Sequence, residues 1–269
     1  MIQTILNAFT GCFFWSTLLM GFFIIKGGFN KQFLFTDNPL LAVATTLLIV
    51  YIDSVFRIHG LVQFFIVMPA FTFILFFILF LYRFFRNPNR KIVYNKNHVL
   101  SPADGRIIYI KELDDRTFPV SVKKRNMIRL DEITKTDMLK TPCYLIGIAM
   151  TLFDVHYNRT PVDGKVKLIQ HTDGVALGLR NPDSTFINER NTFVIEDDDK
   201  NLFGVIQIAA RGVRRCIATV NEKDQVKQGG IIGKIRFGSQ VDLIVPRSYI
   251  VQVREGDQVY AGTSLIAKK

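Results

Sequence analysis

Apolar and polar positions obey different rules on the two sides of residue 82. Before it the apolar residues come in long unbroken runs: no charged residue occurs from Met1 to Ile25, and "GLVQFFIVMPAFTFILFFILFLY" (60–82) is a second uncharged run of 23. About 20 consecutive apolar residues is the length at which a helix crosses the hydrocarbon core of a bilayer. A third stretch, "NPLLAVATTLLIVYI" (38–52), is shorter and closer to a tilted, partial or interfacial segment. Residues 1–82 therefore predict an α-helical transmembrane anchor with two or three hydrophobic segments. A cleavable signal peptide is the other reading of 1–25, but no positive n-region precedes the run and no small-residue cleavage site follows it.

Beyond the anchor the runs shorten. "RIIYI", "CYLIGIAM", "KVKLI", "FGVIQIAA" and "SYIVQVR" are separated by turn residues, with no long 3.6-residue periodicity. Residues 83–269 predict a mainly β domain with few helices. Two internal echoes refine this. "VNEKDQVKQGGII" (220–232) and "VREGDQVYAGTSL" (253–265) repeat at an offset of 33, sharing the E-x-D-x-V-x-x-G pattern of barrel-sandwich β folds such as biotinyl and lipoyl carriers. "SPADGRIIYI" (101–110) and "TPVDGKVKLI" (160–169) repeat at an offset of 59, each an Asp-Gly turn feeding a strand. The first echo reads as architecture; the second reads equally well as architecture or as a site. The polar stretch "NPDSTFINERNTF" (181–193) reads as a surface loop.

Charge sets the anchor's orientation and the domain's partner. "RFFRNPNRK" (83–91) places Arg83, Arg86, Arg90 and Lys91 against the end of the last apolar run, and positive charge beside a span favours the cytoplasmic side. With two crossings or three, the β domain is expected inside, on the cytoplasmic face of the cell (inner) membrane. Three of the 34 Lys+Arg and two of the 23 Asp+Glu precede residue 83, which leaves 31 and 21 and a net charge of +10 for the rest. A tethered basic domain suits an anionic lipid surface, where each nearby Lys or Arg contributes about 1 kcal/mol. Nucleic acid is the usual rival for such charge, but no recognition motif or basic–aromatic repeat supports it. Cys12, Cys143 and Cys216 are isolated, and the four histidines (His59, His98, His156 and His171) include no H-E-x-x-H, so the sequence offers no metal site and no disulfide framework.

The chemistry concentrates in "IRFGSQVDLIVP" (235–246), where Ile235, Phe237, Val241, Leu243 and Val245 predict a strand interrupted by Gly238-Ser239. Glycine inside a strand marks a bulge or a close approach of other atoms. Three readings compete. Ser239 is an ordinary strand serine; or it is a hydrolase nucleophile, against which G-x-S-x-G and its strand–elbow–helix setting are absent; or it attacks the carbonyl of Gly238. The last needs a bent backbone with no Cβ before the serine, and glycine supplies both. An N-to-O acyl shift followed by elimination would release a chain ending at Gly238. The dehydroalanine left at 239 would hydrolyse to a pyruvoyl group, whose carbonyl can condense with an amine and act as an electron sink.

Seven blocks in order favour the last of these readings: "FFRNP" (84–88), "SPADGRI" (101–107), "DVHYNRTPVDGKV" (154–166), "NERN" (188–191), "VIQIAARGVRR" (205–215), "IGKIRFGSQVDLIVP" (232–246) and "EGDQVYAGTSLIA" (255–267). In them the chain resembles phosphatidylserine decarboxylase, in its short, membrane-anchored bacterial branch, over nearly all of 84–269. The resemblance implies that Ser239 is the self-cleavage nucleophile and then the pyruvoyl group. Gly238 would end a 238-residue β chain, and residues 239–269 would form a 31-residue α chain. Asp104 matches the carboxylate that assists cleavage, with a turn aspartate as its other reading. His156 matches an acid or base, suited by an imidazole pKa near neutrality.

One departure stands out. The longer branch of the family carries H-x-x-H here, and this chain has His156 followed by Arg159. Either His156 serves both self-cleavage and decarboxylation, or Asp104 acts through water. Arg159, with Arg215 and Arg236, becomes a candidate for the lipid phosphate or carboxylate, which a guanidinium grips in a bidentate fork. Arg211 and Arg214 are further candidates, and a solvated basic face is the other reading of Arg211, Arg214, Arg215 and Arg236. Glu189 and Asn191 match a block with no derivable role. The reaction implied is decarboxylation of phosphatidylserine to phosphatidylethanolamine on a membrane-bound, anionic substrate. The rivals are a non-enzymatic membrane-anchored barrel-sandwich adaptor and a decarboxylase of another serine-headed lipid. Oligomeric state, a homo-oligomer included, is left open.

Overall fold

A computed structural model describes residues 2–27, 31–58, 60–114, 117–119, 127–151, 153–175, 177, 187–209, 215–236 and 239–269, with the backbone alone at 27, 117–119, 127–129, 236 and 239. The chain divides into two compact units, Met1–Arg86 with Thr151–Phe153, and Asn87–Met150 with Asp154–Lys269.

In the first unit the apolar runs form three helices: α1 (Ile2–Gly27), α2 (Phe33–Phe56) and α3 (Gly60–Phe85), the last with a π-helical turn at Gln63–Val67. All three are long and apolar enough to cross a membrane. The middle one departs from the sequence reading. Residues 38–52 are the inner part of a 24-residue helix that extends back through Asp37 to Phe33. Asp37 and Asn38 are buried and partnered within the bundle. Asp37 pairs with Arg83, and Asn38 Nδ2 donates to Thr17 Oγ1 at 2.8 Å. Polar groups within a membrane bundle persist where they face the interior and pair with one another. The π turn is braced likewise: Trp15 Nε1 donates to the carbonyl of Phe64 at 2.9 Å. Phe153 belongs to this unit, its ring 4.8 Å from Phe33 and 5.8 Å from Phe80.

The second unit is built from strands. In chain order they are β1 (His98–Leu100), β2 (Gly105–Leu113), β3 (Thr117–Pro119), β4 (Met127–Arg129), β5 (Cys143–Met150), β6 (Tyr157–Arg159), β7 (Gly164–Thr172) and β8 (Arg190–Glu196). Then come β9 (Leu202–Ala209), β10 (Arg215–Ala218), β11 (Gln225–Val226), β12 (Ile231–Arg236), β13 (Ser239–Pro246), β14 (Ile250–Val251), β15 (Gln258–Val259) and β16 (Leu265–Lys268). A short helix, α4 (Leu130–Thr134), follows β4. Eight strands make one curled sheet in the order β11-β7-β8-β9-β13-β5-β2-β15, with smaller sheets β10-β12-β6 and β1-β16-β14. This is the mainly β architecture that the short runs and turn spacing predict. Strand β13 lies at its centre and is buried on both faces. Val241, Leu243 and Val245 enter one apolar cluster with Ile148 and Val205, while Ile244 joins Leu145 and Ile206 in another.

Two sequence expectations change here. The single interrupted strand over 235–246 is two strands of different sheets: β12 ends at Arg236 and β13 begins at Ser239. The supposed surface loop 181–193 runs into the core, since β8 starts at Arg190. Arg190 and Thr192 are fully buried, and Asn191 nearly so. Polarity misled because Arg190 and Asn191 are satisfied internally: Arg190 donates to the carbonyls of Asn188 and Ile133, and Asn191 donates to Gln207.

The two echoes turn out to be one structural repeat. Gly105 opens β2 and Gly164 opens β7, both at positive φ (149° and 159°). A Cβ on either would strike the backbone of Ala149 or Glu196. Val259 pairs with Gly105, and Val226 pairs with Gly164. Glu255 accepts the amide of Ile110 at 3.2 Å, and Glu222 accepts that of Ile169 at 3.0 Å. Each E-x-D-x-V turn thus docks on the strand that its matching Asp-Gly turn begins.

Candidate active site

Ser239 is the first residue of β13 and is flanked by a ladder partner on each side, Met150 of β5 and Ala209 of β9. Gly238 lies outside the described residues, as do Arg211 and Arg214. On the other side of the junction, Arg236 pairs in register with Arg215, and Ile235 donates its amide to the carbonyl of His156 at 3.0 Å. The segment carrying His156 therefore lies along the end of β12.

Asp104 is almost wholly buried, and the internal repeat separates its two oxygens by role. Its Oδ1 accepts the amide of Ala261 at 2.8 Å. Asp163 Oδ1, at the equivalent place, accepts the amide of Gln228. That bond is common to both turns and is architecture. Asp104 Oδ2 has partners the repeat does not require: Arg90 Nη2 at 2.7 Å and the amide of Val155 at 3.4 Å. Arg90 also donates from Nη1 to the carbonyl of Ala261 at 2.9 Å. Asp104 thus ties Arg90 to the backbone just before His156.

His156 is buried, with Nδ1 2.8 Å from the carbonyl oxygen of Asp154. A carbonyl only accepts, so in the neutral ring Nδ1 carries the proton and Nε2 is the basic nitrogen. Arg159 is also buried. Its Nη1 donates to the carbonyl of Gly229 at 2.8 Å and its Nη2 to Asn87 Oδ1 at 3.1 Å, while Nε has no partner among the described residues. Burial first, then the nearby Arg90 charge, lower its pKa, with Asp104 opposing. Arg215 is exposed. A buried amide series runs inward from the rim: His171 Nδ1 lies 2.6 Å from Asn191 Oδ1, Asn191 Nδ2 donates to Gln207 at 3.2 Å, and Gln207 Nε2 donates to Asn158 at 2.8 Å. Glu189 Oε1 accepts the amide of Cys216 at 3.0 Å, and its carbonyl accepts that of Ala209, the partner of Ser239.

The model of the family described as phosphatidylserine decarboxylase matches residues 77–267. The chain belongs to this family. A protein of Methanocaldococcus jannaschii named as an archaetidylserine decarboxylase proenzyme is 37% identical over 192 residues, covering 71% of this chain and 91% of that one. Phosphatidylserine decarboxylase proenzymes of Syntrophus aciditrophicus (35% over 181 residues, 67% and 76%) and Carboxydothermus hydrogenoformans (32% over 198 residues, 72% and 83%) are similar. As a member of this decarboxylase family the chain is an enzyme, a carboxy-lyase. The family match begins inside α3, so most of the helical unit lies outside it.

Within this family member, sequence reasoning missed several residues. Arg90 was legible only as a positive charge beside a span, although its neighbour in space is Asp104. Asn158 and Gln207 gave no signal. Asp242, a charged residue in an apolar strand, gave one: a carboxylate two residues from Gln240 marks a buried polar face.

Proposed function

We propose that this decarboxylase converts phosphatidylserine to phosphatidylethanolamine with a pyruvoyl group made from its own Ser239, the domain 83–269 acting on the cytoplasmic face of the cell (inner) membrane to which the anchor 1–82 fixes it. The observation that carries this reading is where the chain passes from one sheet to another: β12 ends at Arg236 and β13 begins at Ser239, so a cut after residue 238 interrupts neither strand. A residue at the start of β13, flanked by Met150 and Ala209, also fits a group that must stand at a new N-terminus yet stay fixed.

In maturation, Ser239 Oγ bonds to the carbonyl carbon of Gly238 as the C–N bond breaks and the nitrogen takes a proton. A base then takes the Cα proton of residue 239 as the Oγ–Cβ bond breaks, which leaves Gly238 with its carboxylate and gives dehydroalanine. Water adds to its imine form and nitrogen departs as ammonia. His156 Nε2 is the base assigned to the Ser239 hydroxyl. Asp104, whose oxygens already accept three donors, orients the segment before His156 and is not itself the base. A pyruvoyl group at 239 supplies a carbonyl for the substrate amine and an electron sink for the departing carboxylate. Arg215 and Arg236, at partner positions of β10 and β12, are assigned to the lipid phosphate. Arg159 contributes through Nε. Lys and Arg at 83–91 keep the domain inside and near anionic lipid.

The names of two archaeal relatives favour a second reading, a serine head group on an archaeal lipid. Intact-mass spectrometry under denaturing conditions tests maturation, and a lipid product assay separates the substrates. We expect chains of 238 and 31 residues, the smaller with a keto-bearing N-terminus. Ser239→Ala should remain one inactive chain; activity in that variant would overturn the pyruvoyl mechanism.

A further inference from the structure

The second face of β13 holds a charge that the reaction does not use. Asp242 is fully buried and Gln240 nearly so. Tyr109 of β2 donates its hydroxyl to Asp242 Oδ2 at 2.8 Å. Gln240 Nε2 donates to Asp242 Oδ1 at 2.7 Å and to the Tyr109 hydroxyl at 2.8 Å. The three side chains form a closed triangle. Its floor is Gly147 of β5, where a Cβ would collide with the Tyr109 ring, and Gly147 is also the ladder partner of Asp242. Two cations act on Asp242 without bonding to it, Arg190 of β8 and Lys111 of β2. Burial raises its pKa, and the two hydrogen bonds and these cations oppose that.

Position gives the triangle its meaning. A one-residue slip of β13 would turn Gln240 and Asp242 into the apolar cluster of Val241 and Leu243, and would bring those residues against Tyr109. Few arrangements specify register more strongly than a charge with one polar niche. The triangle starts one residue after Ser239. Once the chain is cut, Ser239 is a strand terminus, the place where strands fray.

We propose that Asp242, Gln240 and Tyr109 are positioning residues that pin the start of β13 in register, so that the Gly238–Ser239 bond is presented for cleavage and the group at 239 is held afterwards. This rests on the proposed self-cleavage.

The test is the rate at which full-length protein in lipid nanodiscs is cut into its 238- and 31-residue chains, read by mass spectrometry under denaturing conditions. Asp242→Asn keeps the shape but sets an amide NH2 against that of Gln240, and should slow cleavage at least tenfold. Adding Gln240→Glu restores donor against acceptor, with the Tyr109 hydroxyl reversing its direction, and should return the rate to within threefold of the parent. A role limited to filling space would give no such rescue. Tyr109→Phe supplies a milder variant should Asp242→Asn fail to accumulate. In its cleaved form the amides of 240–242 should exchange with deuterium at least tenfold faster, while those of 243–245 keep their protection. Cleavage of Asp242→Asn at the parental rate, a double variant as slow as the single one, or unchanged exchange at 240–242 would overturn the pin. A parent that never cleaves overturns the maturation itself, and the pin with it.

Discussion

The two Asp-Gly turns are an internal control at the scale of single residues. Asp104 and Asp163 share one backbone hydrogen bond, and Asp104 alone has Arg90 and the Val155 amide. Asp163→Asn should cost about 1 kcal/mol, the usual net value of a hydrogen bond, and leave self-cleavage within threefold of the parent. Asp104→Asn should slow cleavage at least a hundredfold, as followed by gel or mass spectrometry. Asp242 makes a different prediction. Burial lifts its pKa from 3.8 to about 6. A carboxyl with a raised folded-state pKa contributes stability that is complete below the unfolded value and is lost as pH rises through the folded one. Between pH 4 and 6 the protein should therefore lose on the order of 3 kcal/mol from this group. Thermal unfolding of Ser239→Ala, which stays one chain, should show that slope, and adding Asp242→Asn should flatten it. At this scale the sequence was legible where a residue's chemistry is rare, as with Ser239 after glycine. It was opaque where function depends on a neighbour in space, as with Arg90 beside Asp104.

At the scale of elements, periodicity located the strands, but it could not distinguish one bulged strand from two strands of different sheets. Ile235 and Val241 carry the same apolar signal, and only long-range pairing assigns β12 to β6 and β10, and β13 to β5 and β9. The apolar run of α2 looks short for a related reason: hydropathy stops at Asp37, which counts as polar without its partner Arg83. The repeat was readable because Asp-Gly and E-x-D-x-V turns demand particular residues. Gly105→Ala should therefore be costly: at φ 149° with the Ala149 carbonyl in the way, a methyl should destabilise by more than about 1 kcal/mol from backbone strain, with about 1–3 more from overpacking. A drop in melting temperature on Ser239→Ala background reads this directly. Cutting after Gly238 should not release the small chain. Val241, Leu243, Ile244 and Val245 are at most 1% exposed, and each such side chain contributes about 1.5–3 kcal/mol by burial. The chain should co-purify until denaturant unfolds the whole sheet.

At the scale of the whole molecule, three apolar helices and a basic β unit predict a protein extracted from membranes by detergent and not by high salt. Its native thiols should not interfere with mapping orientation. Burial pushes the thiols of Cys143 and Cys216 up to about 11 and about 12, so at neutral pH they remain protonated and poorly reactive. A single cysteine placed at Lys91 should be labelled by an impermeant maleimide in inside-out vesicles and not in intact cells; labelling in intact cells would reverse the assigned orientation.

The central place of β13 also gives the protein a history. Residues 239–269 supply the middle strand and one edge strand of the large sheet and two strands of a smaller one. A continuous chain brings those strands to their partners by closing loops, whereas two separate chains would first have to meet, at a cost of several kcal/mol in lost freedom and with a dependence on concentration. Under the proposed maturation, assembly instructions are present only in the uncut chain. The mature enzyme would keep its shape as a record of an earlier molecule: able to work for as long as it stays folded, and unable to rebuild itself once fully unfolded.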